Sequence, residues 1–379
     1  MSPRKMRIAF VVSEDWFFVS HFIPMLRAAQ EVDLEPVIVT RVSRHQAMLE
    51  SMGAKVVPLN IERRDVGPLS VGPSIWRMAG ILKAEKVDIV HCIALRSIVL
   101  GGLAAGLAGV KNRVLAVTGG GVLIANKSLR AGFSREVLKT CIRFIALSGN
   151  NRFLFENVTD PLSFGLDPNA SDVTIVPGAG VDPDFYTPTP LPKGDGLKIA
   201  MVSRMVWSKG VDLAVEAVSV ARQRGYDVEL SLFGAPDPSN PRSLSEELLK
   251  RWSERPGIRW RGATTDVRQV WSAHDLACLP TRGGEGLPRS ILEAGACGRA
   301  ILATDVPGCR DFVREGEEGW LVPPNNAAAL ADRICLLAEN RETVAQAGRK
   351  ARERVMSGYT EGLVRAEVST LYRRLQAAG

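Results

Sequence analysis

The sequence predicts an α/β protein built from two doubly wound, Rossmann-like domains. Three observations lead there. Short apolar runs of strand length alternate with helix-length segments in both halves of the chain, the pattern of buried parallel strands joined by crossover helices. A stretch rich in proline and glycine, from Pro183 through the Lys193-Gly194-Asp195-Gly196 turn, separates the halves as a linker would. The second half also carries a glycine-rich turn between a strand and a helix, Thr281-Arg282-Gly283-Gly284-Glu285-Gly286-Leu287-Pro288, which is how such domains bind phosphate.

With 379 residues, 46% hydrophobic and 23% charged, the chain is an ordinary globular sequence long enough for two domains. The expected division is 1–185, 186–358 and a C-terminal helix, 359–379. The apolar run after the basic start, Ile8 to Val12, is too short for a signal peptide, and no later run reaches the roughly 18 apolar residues of a membrane span. A cytoplasmic protein is expected. Six cysteines without C-x-x-C pairing fit reduced core thiols better than disulfides or zinc. The net charge of +7 suits an anionic membrane surface or nucleic acid, and no nucleic-acid motif accompanies it.

In the first half, strands are expected at Arg7–Val12, Pro36–Thr40, Ala54–Pro58, Asp88–Cys92 and Val114–Val117, with a helix over Phe22–Gln30. The first strand-to-helix turn, Ser13 to His21, contains no glycine, which disfavours a nicotinamide dinucleotide. His21, His91, Arg96 and the Gly119-Gly120-Gly121 turn fall at the carboxyl edge of this sheet, where doubly wound domains bind ligands. His21 is placed either to meet an acceptor hydroxyl or to cap the following helix. From Asn126 to Phe144 the chain carries Lys127, Arg130, Arg135, Lys139 and Arg143 against a single Glu136. Arg135, Lys139 and Arg143 share one helix face, so a basic amphipathic helix is expected, suited to anionic lipid or a lipid diphosphate.

The second half opens with a strand over Lys198–Ser203 and a turn carrying Arg204 and Lys209 before the helix Val211–Gln223, which has Asp212 in its first turn. Two cations at a strand-to-helix turn are placed to hold a diphosphate, arginine as a fork and lysine as a mobile point charge. Strands at Val228–Phe233, ending in Gly234, and at Ile258–Trp260, ending in Arg261-Gly262, follow. Asp182-Pro183-Asp184 has the form of a D-x-D metal motif, but its place in the proline-rich segment favours coincidence, and no metal is expected.

In the glycine-rich turn, Gly283, Gly284 and Gly286 let backbone approach a ligand closely, and Pro288 suits the first turn of the helix that Gly298 would close. Glu285 lies in the turn, and Glu293 lies about 7.5 Å along the helix beyond Pro288, at roughly 1.5 Å per residue. Their spacing resembles the E-x7-E signature of the retaining glycosyltransferases of family 4, which have the GT-B fold. Arg204-x4-Lys209-Gly210 resembles that family's R-x4-K-G element, and Asp305-Val306-Pro307-Gly308 matches its D-x-P-G pattern. His91 stands where members often write H-x-H, although the second histidine is here Ile93, so His91 reads either as a residue of the cleft or as a buried structural histidine.

This resemblance implies two Rossmann-like domains facing across a cleft. It implies a UDP-linked donor sugar whose diphosphate is held by Arg204 and Lys209 without a metal, with no other cofactor. Glu285 would hold the donor sugar and Glu293 the ribose. Gly286, Leu287, Pro288, Gly234, Arg261 and Gly120 would line the donor site, and His21, His91 and Arg96 the acceptor pocket. The subgroup it is most similar to transfers a sugar such as N-acetylgalactosamine to an undecaprenyl-diphosphate-linked sugar in bacterial surface-glycan synthesis. That acceptor implies peripheral attachment to the inner face of the membrane through residues 126–144. A sugar-nucleotide 2-epimerase or a non-catalytic nucleotide-sugar-binding protein shares much of this pattern and stays open at this point.

Overall fold

The computed structural model describes residues 4–59, 68–119 and 136–378, apart from 137, 143 and 146. The chain divides into two units, Met1–Ala179 with Glu361–Gly379, and Gly180–Thr360. The first is built on a seven-stranded sheet in the order β3-β2-β1-β4-β5-β6-β7. Its strands are β1 (Arg7–Glu14), β2 (Glu35–Arg41), β3 (Lys55–Pro58), β4 (Ile89–Ile93), β5 (Asn112–Val117), β6 (Asn150–Phe155) and β7 (Val173–Ile175), and every pairing is parallel. A sheet buried on both faces needs apolar residues pointing both ways, and β1 shows why this sequence forms one. Ile8, Phe10 and Val12 enter one core while Ala9 and Val11 enter the other. Helices Ile23–Glu31 and Glu361–Ala377 cover the first face together, with the Ser369 hydroxyl donating to the Ala28 carbonyl at 3.4 Å and Gln376 to that of Val32 at 2.9 Å.

The second unit has a six-stranded sheet ordered β10-β9-β8-β11-β12-β13. These strands are β8 (Leu197–Val202), β9 (Val228–Phe233), β10 (Ile258–Gly262), β11 (Leu276–Leu279), β12 (Ala300–Thr304) and β13 (Gly319–Val322), again all parallel. Numbered within the unit the order is 3-2-1-4-5-6, so the winding reverses between β8 and β11. In doubly wound sheets such a reversal, at the carboxyl ends of the strands, is where ligands bind.

The boundary between units falls after Ala179, earlier than residue 185, because the proline-rich stretch is bound into the second unit. Val181 and Tyr186 belong to its core. Three arginines donate to the carbonyls of the stretch: Arg352 to Pro183 and Tyr186, Arg299 to Thr189 and Pro190, and Arg341 to Pro192 and Gly194. The Asp182 carboxylate accepts from the amides of Asp184 and Phe185 at 3.0 and 3.3 Å, forming a local turn. All six cysteines are free and five are buried. Among the described residues no helix is long and apolar enough to cross a membrane.

The first turn after β1 departs from the expected loop: Asp15–His21 is a short helix. The fully buried Asp15 carboxylate accepts from the amides of Ser43, Arg44 and His45 at 2.8, 3.0 and 2.9 Å, tying the β1 and β2 loops together. Ala94, between β4 and the helix Leu95–Ala108, sits at φ 70°, ψ 156°, a region natural to glycine and costly for a side chain. Ala94→Gly is therefore expected to stabilise the protein by about 1 kcal/mol, relief of roughly 1–3 kcal/mol of strain outweighing the extra entropy of an unfolded glycine. Thermal unfolding should show a rise of about 2–4 °C; a fall would mean the backbone here is unstrained.

Candidate active site

The segments beyond β8 and β11 carry the cations and carboxylates singled out by the sequence. Beyond β8 the chain runs through a 3₁₀ turn, Trp207–Lys209, into the helix Val211–Gln223. Gly210 makes that path possible. It has φ 73°, and a Cβ there would lie 2.0 Å from the Pro280 carbonyl oxygen, so only glycine lets the two loops touch. The Ser208 carbonyl then accepts from the Arg282 amide at 2.7 Å and from the Thr281 hydroxyl at 3.1 Å.

This seam aims Lys209 at the glycine turn. Its ammonium lies 2.5 and 2.6 Å from the two carboxylate oxygens of Glu285, whose Oε1 also accepts from the Thr281 hydroxyl at 3.0 Å. Both side chains are largely shielded, 16% and 17% exposed, so the charges are screened far less than a surface pair. Gly283 and Gly284 hold the turn open at φ 101° and 82°. Gly308 carries no Cβ because one would meet the Gly286 carbonyl oxygen at 1.8 Å, which explains the glycine of Asp305-Val306-Pro307-Gly308. Leu287 is buried beneath the turn, and Pro288 caps the helix Arg289–Ala296.

Glu293 lies on that helix, buried, its Oε1 accepting from the Tyr186 hydroxyl at 3.0 Å and from Arg289 Nε at 2.9 Å. Burial raises its pKa above the ordinary glutamate value, while Arg289 and Tyr186 hold it down. A buried carboxylate that must stay ionised to accept hydroxyl hydrogen bonds loses that ability as pH falls through its raised pKa. On the expectation that Glu293 receives the ribose hydroxyls of UDP, affinity for that nucleotide should fall at a pH above the ordinary value of 4.5. Arg289→Gln removes an influence that favours the charged form and should move this acid limb towards neutral pH. Titration calorimetry at stepped pH reads the limb, and identical limbs for both proteins would show that Glu293 ionisation does not govern binding.

Three further residues of the expected donor set lie at the carboxyl ends of β8, β9 and β10. Arg204 follows β8, 45% exposed, with its guanidinium 2.7 Å from the Asp237 carboxylate rather than in the Lys209 and Glu285 cluster. Gly234 ends β9 at φ 141°, where a Cβ would fall 1.8 Å from the Ser203 carbonyl oxygen, and its own carbonyl accepts from the Trp260 indole at 2.9 Å. Arg261 is exposed near the end of β10. Gly120 and the basic segment through residue 135 lie outside the described residues, as do 137 and 143. Of that segment, Lys139 pairs with Glu136 at 3.0 Å, Ile142 is buried and Phe144 is exposed.

In the first unit His21 ends the helix Asp15–His21, Nδ1 at 2.6 Å from the Ser20 hydroxyl and the ring packed on Phe17. Arg96 enters the first turn of Leu95–Ala108 and lines a small cavity with Ser13 and Thr40 at the carboxyl ends of β1 and β2. His91 does not line an acceptor pocket. It is wholly buried, its Nδ1 2.7 Å from the Tyr372 hydroxyl, and burial lowers its pKa to about 3, so it is a neutral core residue. Its partner is 281 positions away on the C-terminal helix.

Two participants were not foreseen. Tyr186, in the proline-rich stretch, holds Glu293. Arg282, inside the glycine turn, grips the loops that carry Lys209. The one signal for the latter was a second arginine beside the glycines with Asp212 waiting in a helix first turn.

Residues 7–156 match the family model for glycosyl transferase 4-like domains, and residues 196–340 that for glycosyl transferases group 1. Over 98% of its length the chain is 25% identical to the N,N'-diacetylbacillosaminyl-diphospho-undecaprenol alpha-1,3-N-acetylgalactosaminyltransferase of Campylobacter jejuni, covering 99% of it. It is 28% identical to the putative colanic acid biosynthesis glycosyltransferase WcaL of Escherichia coli over 52% of this chain and 50% of that one. Among solved structures, sucrose-phosphate synthase of Thermosynechococcus elongatus superposes with a TM-score of 0.78 at 19% identity, over 99% of this chain and 100% of the other. Anabaena HepE, in complex with UDP and glucose, gives 0.75 at 17%, over 97% and 99%. Two parallel Rossmann-like sheets of this kind define a protein of the GT-B class. With both halves matched by glycosyltransferase models, the chain belongs to the family 4 glycosyltransferases.

Proposed function

We propose that this glycosyltransferase moves a hexose or N-acetylhexosamine from a UDP-linked donor to a lipid-linked sugar acceptor, with retention at the anomeric carbon and without a metal. The observation that carries this reading is the Lys209–Glu285 pair, seated beside two positive-φ glycines at the winding reversal of the second sheet. An arriving diphosphate offers Lys209 a more highly charged partner than one carboxylate, and Glu285 is then released to accept hydrogen bonds from the donor sugar. Arg204 exchanges Asp237 for the same phosphates. The two cations stabilise charge on the departing UDP, the task a metal performs elsewhere. Glu293 accepts from the ribose hydroxyls, with Gly234 and Arg261 at the base.

The acceptor hydroxyl attacks from the face the diphosphate leaves, so the new bond keeps the configuration of the old. His21 and Arg96 serve the acceptor. The Campylobacter relative, named for a diphospho-undecaprenol acceptor, supports a lipid-linked substrate. Such a substrate calls for peripheral attachment to the inner membrane surface, with the cations of residues 126–144 meeting anionic head groups. Incubation of labelled UDP-sugars with bacterial membrane extract tests the reading. Label moving into the lipid fraction is the expected result; isomerised UDP-sugar would indicate an epimerase, and binding without turnover a non-catalytic protein.

A further inference from the structure

Arg282 is the most heavily engaged side chain of the glycine turn, and none of its contacts lies in the turn itself. It is 7% exposed, and its two terminal nitrogens meet the two Asp212 carboxylate oxygens at 2.8 and 2.7 Å, a full fork. Nη1 also donates to the Trp207 carbonyl at 2.6 Å, and Nε to the Asn325 side chain at 2.8 Å, in the loop beyond β13. Its guanidinium lies 4.2 Å from the centre of the Trp207 ring, and Arg242 covers the same ring at 3.4 Å. One side chain thus ties the turn beyond β11 to the turn beyond β8, to the first turn of Val211–Gln223 and to the loop after β13.

Two of the residues it grips, Trp207 and Asp212, bracket Lys209 in the chain, where main-chain bonds already fix the path: the Trp207 amide donates to the Arg242 carbonyl at 3.0 Å and the Lys209 amide to that of Val206 at 3.1 Å. Lys209 ends a single 3₁₀ turn, and Gly210 behind it is held at φ 73° against the Pro280 carbonyl. To these bonds the Arg282 side chain adds a clamp on the Trp207 carbonyl and ring. Shielded ion pairs add little net stability, because desolvation offsets most of the attraction, and they define geometry instead.

We propose that Arg282 is a positioning residue for donor chemistry, clamping Trp207-Ser208-Lys209 so that the Lys209 ammonium stays over Glu285 and the diphosphate site. The inference rests on the reading of Lys209 given above. Arginine is required because lysine has neither the fork for Asp212 nor a flat face for Trp207.

The test compares UDP affinity by calorimetry, and turnover, for Arg282→Lys, Asp212→Asn and Lys209→Ala singly and for Arg282→Lys with Lys209→Ala. Asp212→Asn serves as the milder break should Arg282→Lys unfold, since Asp212 is partly exposed at the helix surface. Expected are about tenfold losses in UDP affinity for Arg282→Lys and for Asp212→Asn, a larger drop in kcat than rise in KM, and no further loss of affinity when Arg282→Lys is added to Lys209→Ala. Asp212→Glu should restore part of the loss. Additive losses would show that Arg282 acts independently of Lys209 and overturn the proposal while leaving the Lys209 reading intact, as would normal UDP affinity and turnover in Arg282→Lys. Full UDP affinity and turnover in Lys209→Ala would remove the Lys209 reading, and this inference with it.

Discussion

Lys209→Ala is expected to lower turnover by roughly 10²–10³-fold, the effect of deleting one preorganised group that stabilises developing charge in a shielded site. The loss should fall mainly on kcat, since charge on the leaving diphosphate grows towards the transition state and the ammonium is worth most there. The substitution also leaves Glu285 without its cation in a largely covered crevice. Glu285→Gln keeps the shape and hydrogen-bonding reach but removes the ion pair, so its loss isolates the contribution of carboxylate charge to holding the donor sugar. Initial rates over a range of UDP-sugar concentrations separate the two parameters. A Lys209→Ala enzyme with unchanged kcat and only a raised KM would assign the lysine to simple binding.

Glu293→Ala carries the second large effect, and it should appear in binding. A charged acceptor meeting ribose hydroxyls is worth about 1.5–3 kcal/mol, so UDP affinity should fall by roughly one to two orders of magnitude. Calorimetric titration with UDP alone measures it, because ribose is present in the nucleotide whether or not the sugar is attached. Tyr186 and Arg289 already hold this carboxylate in place, so the entropy of orienting it is largely spent before the ligand arrives. Unchanged affinity in Glu293→Ala would place the ribose elsewhere. Equal loss of UDP and UDP-sugar binding in Glu285→Gln would contradict the division of labour between the two carboxylates.

How much of this could be read from the sequence depends on the range of the interaction responsible. Val228–Phe233 and Val211–Gln223 were placed to the residue, since continuous apolar runs and helical periodicity are local signals. The strand β6 was not foreseen, because it opens with Asn150-Asn151-Arg152 and only its second half is apolar. The helix Asp15–His21 was hidden for a related reason: Asp15 is turned back onto amides of Ser43, Arg44 and His45, which no pattern around Asp15 announces. Lys209 and Glu285 were singled out by motif spacing, but their ion pair was not, because it depends on two loops meeting in the folded sheet. His91 was decided by Tyr372, and Arg204 by Asp237, partners set by the folded sheet. The same holds for Arg282, whose neighbours Asp212 and Asn325 come from a helix and from another loop.

The central claim is that side chains held at the β8–β11 reversal, and not a bound cation, neutralise the departing diphosphate. The initial rate of sugar transfer in excess EDTA, compared with the rate after adding Mg²⁺ or Mn²⁺, tests it most directly. The account predicts full activity in EDTA and no stimulation by either ion. Activity that vanishes in EDTA and returns only with added metal would contradict it.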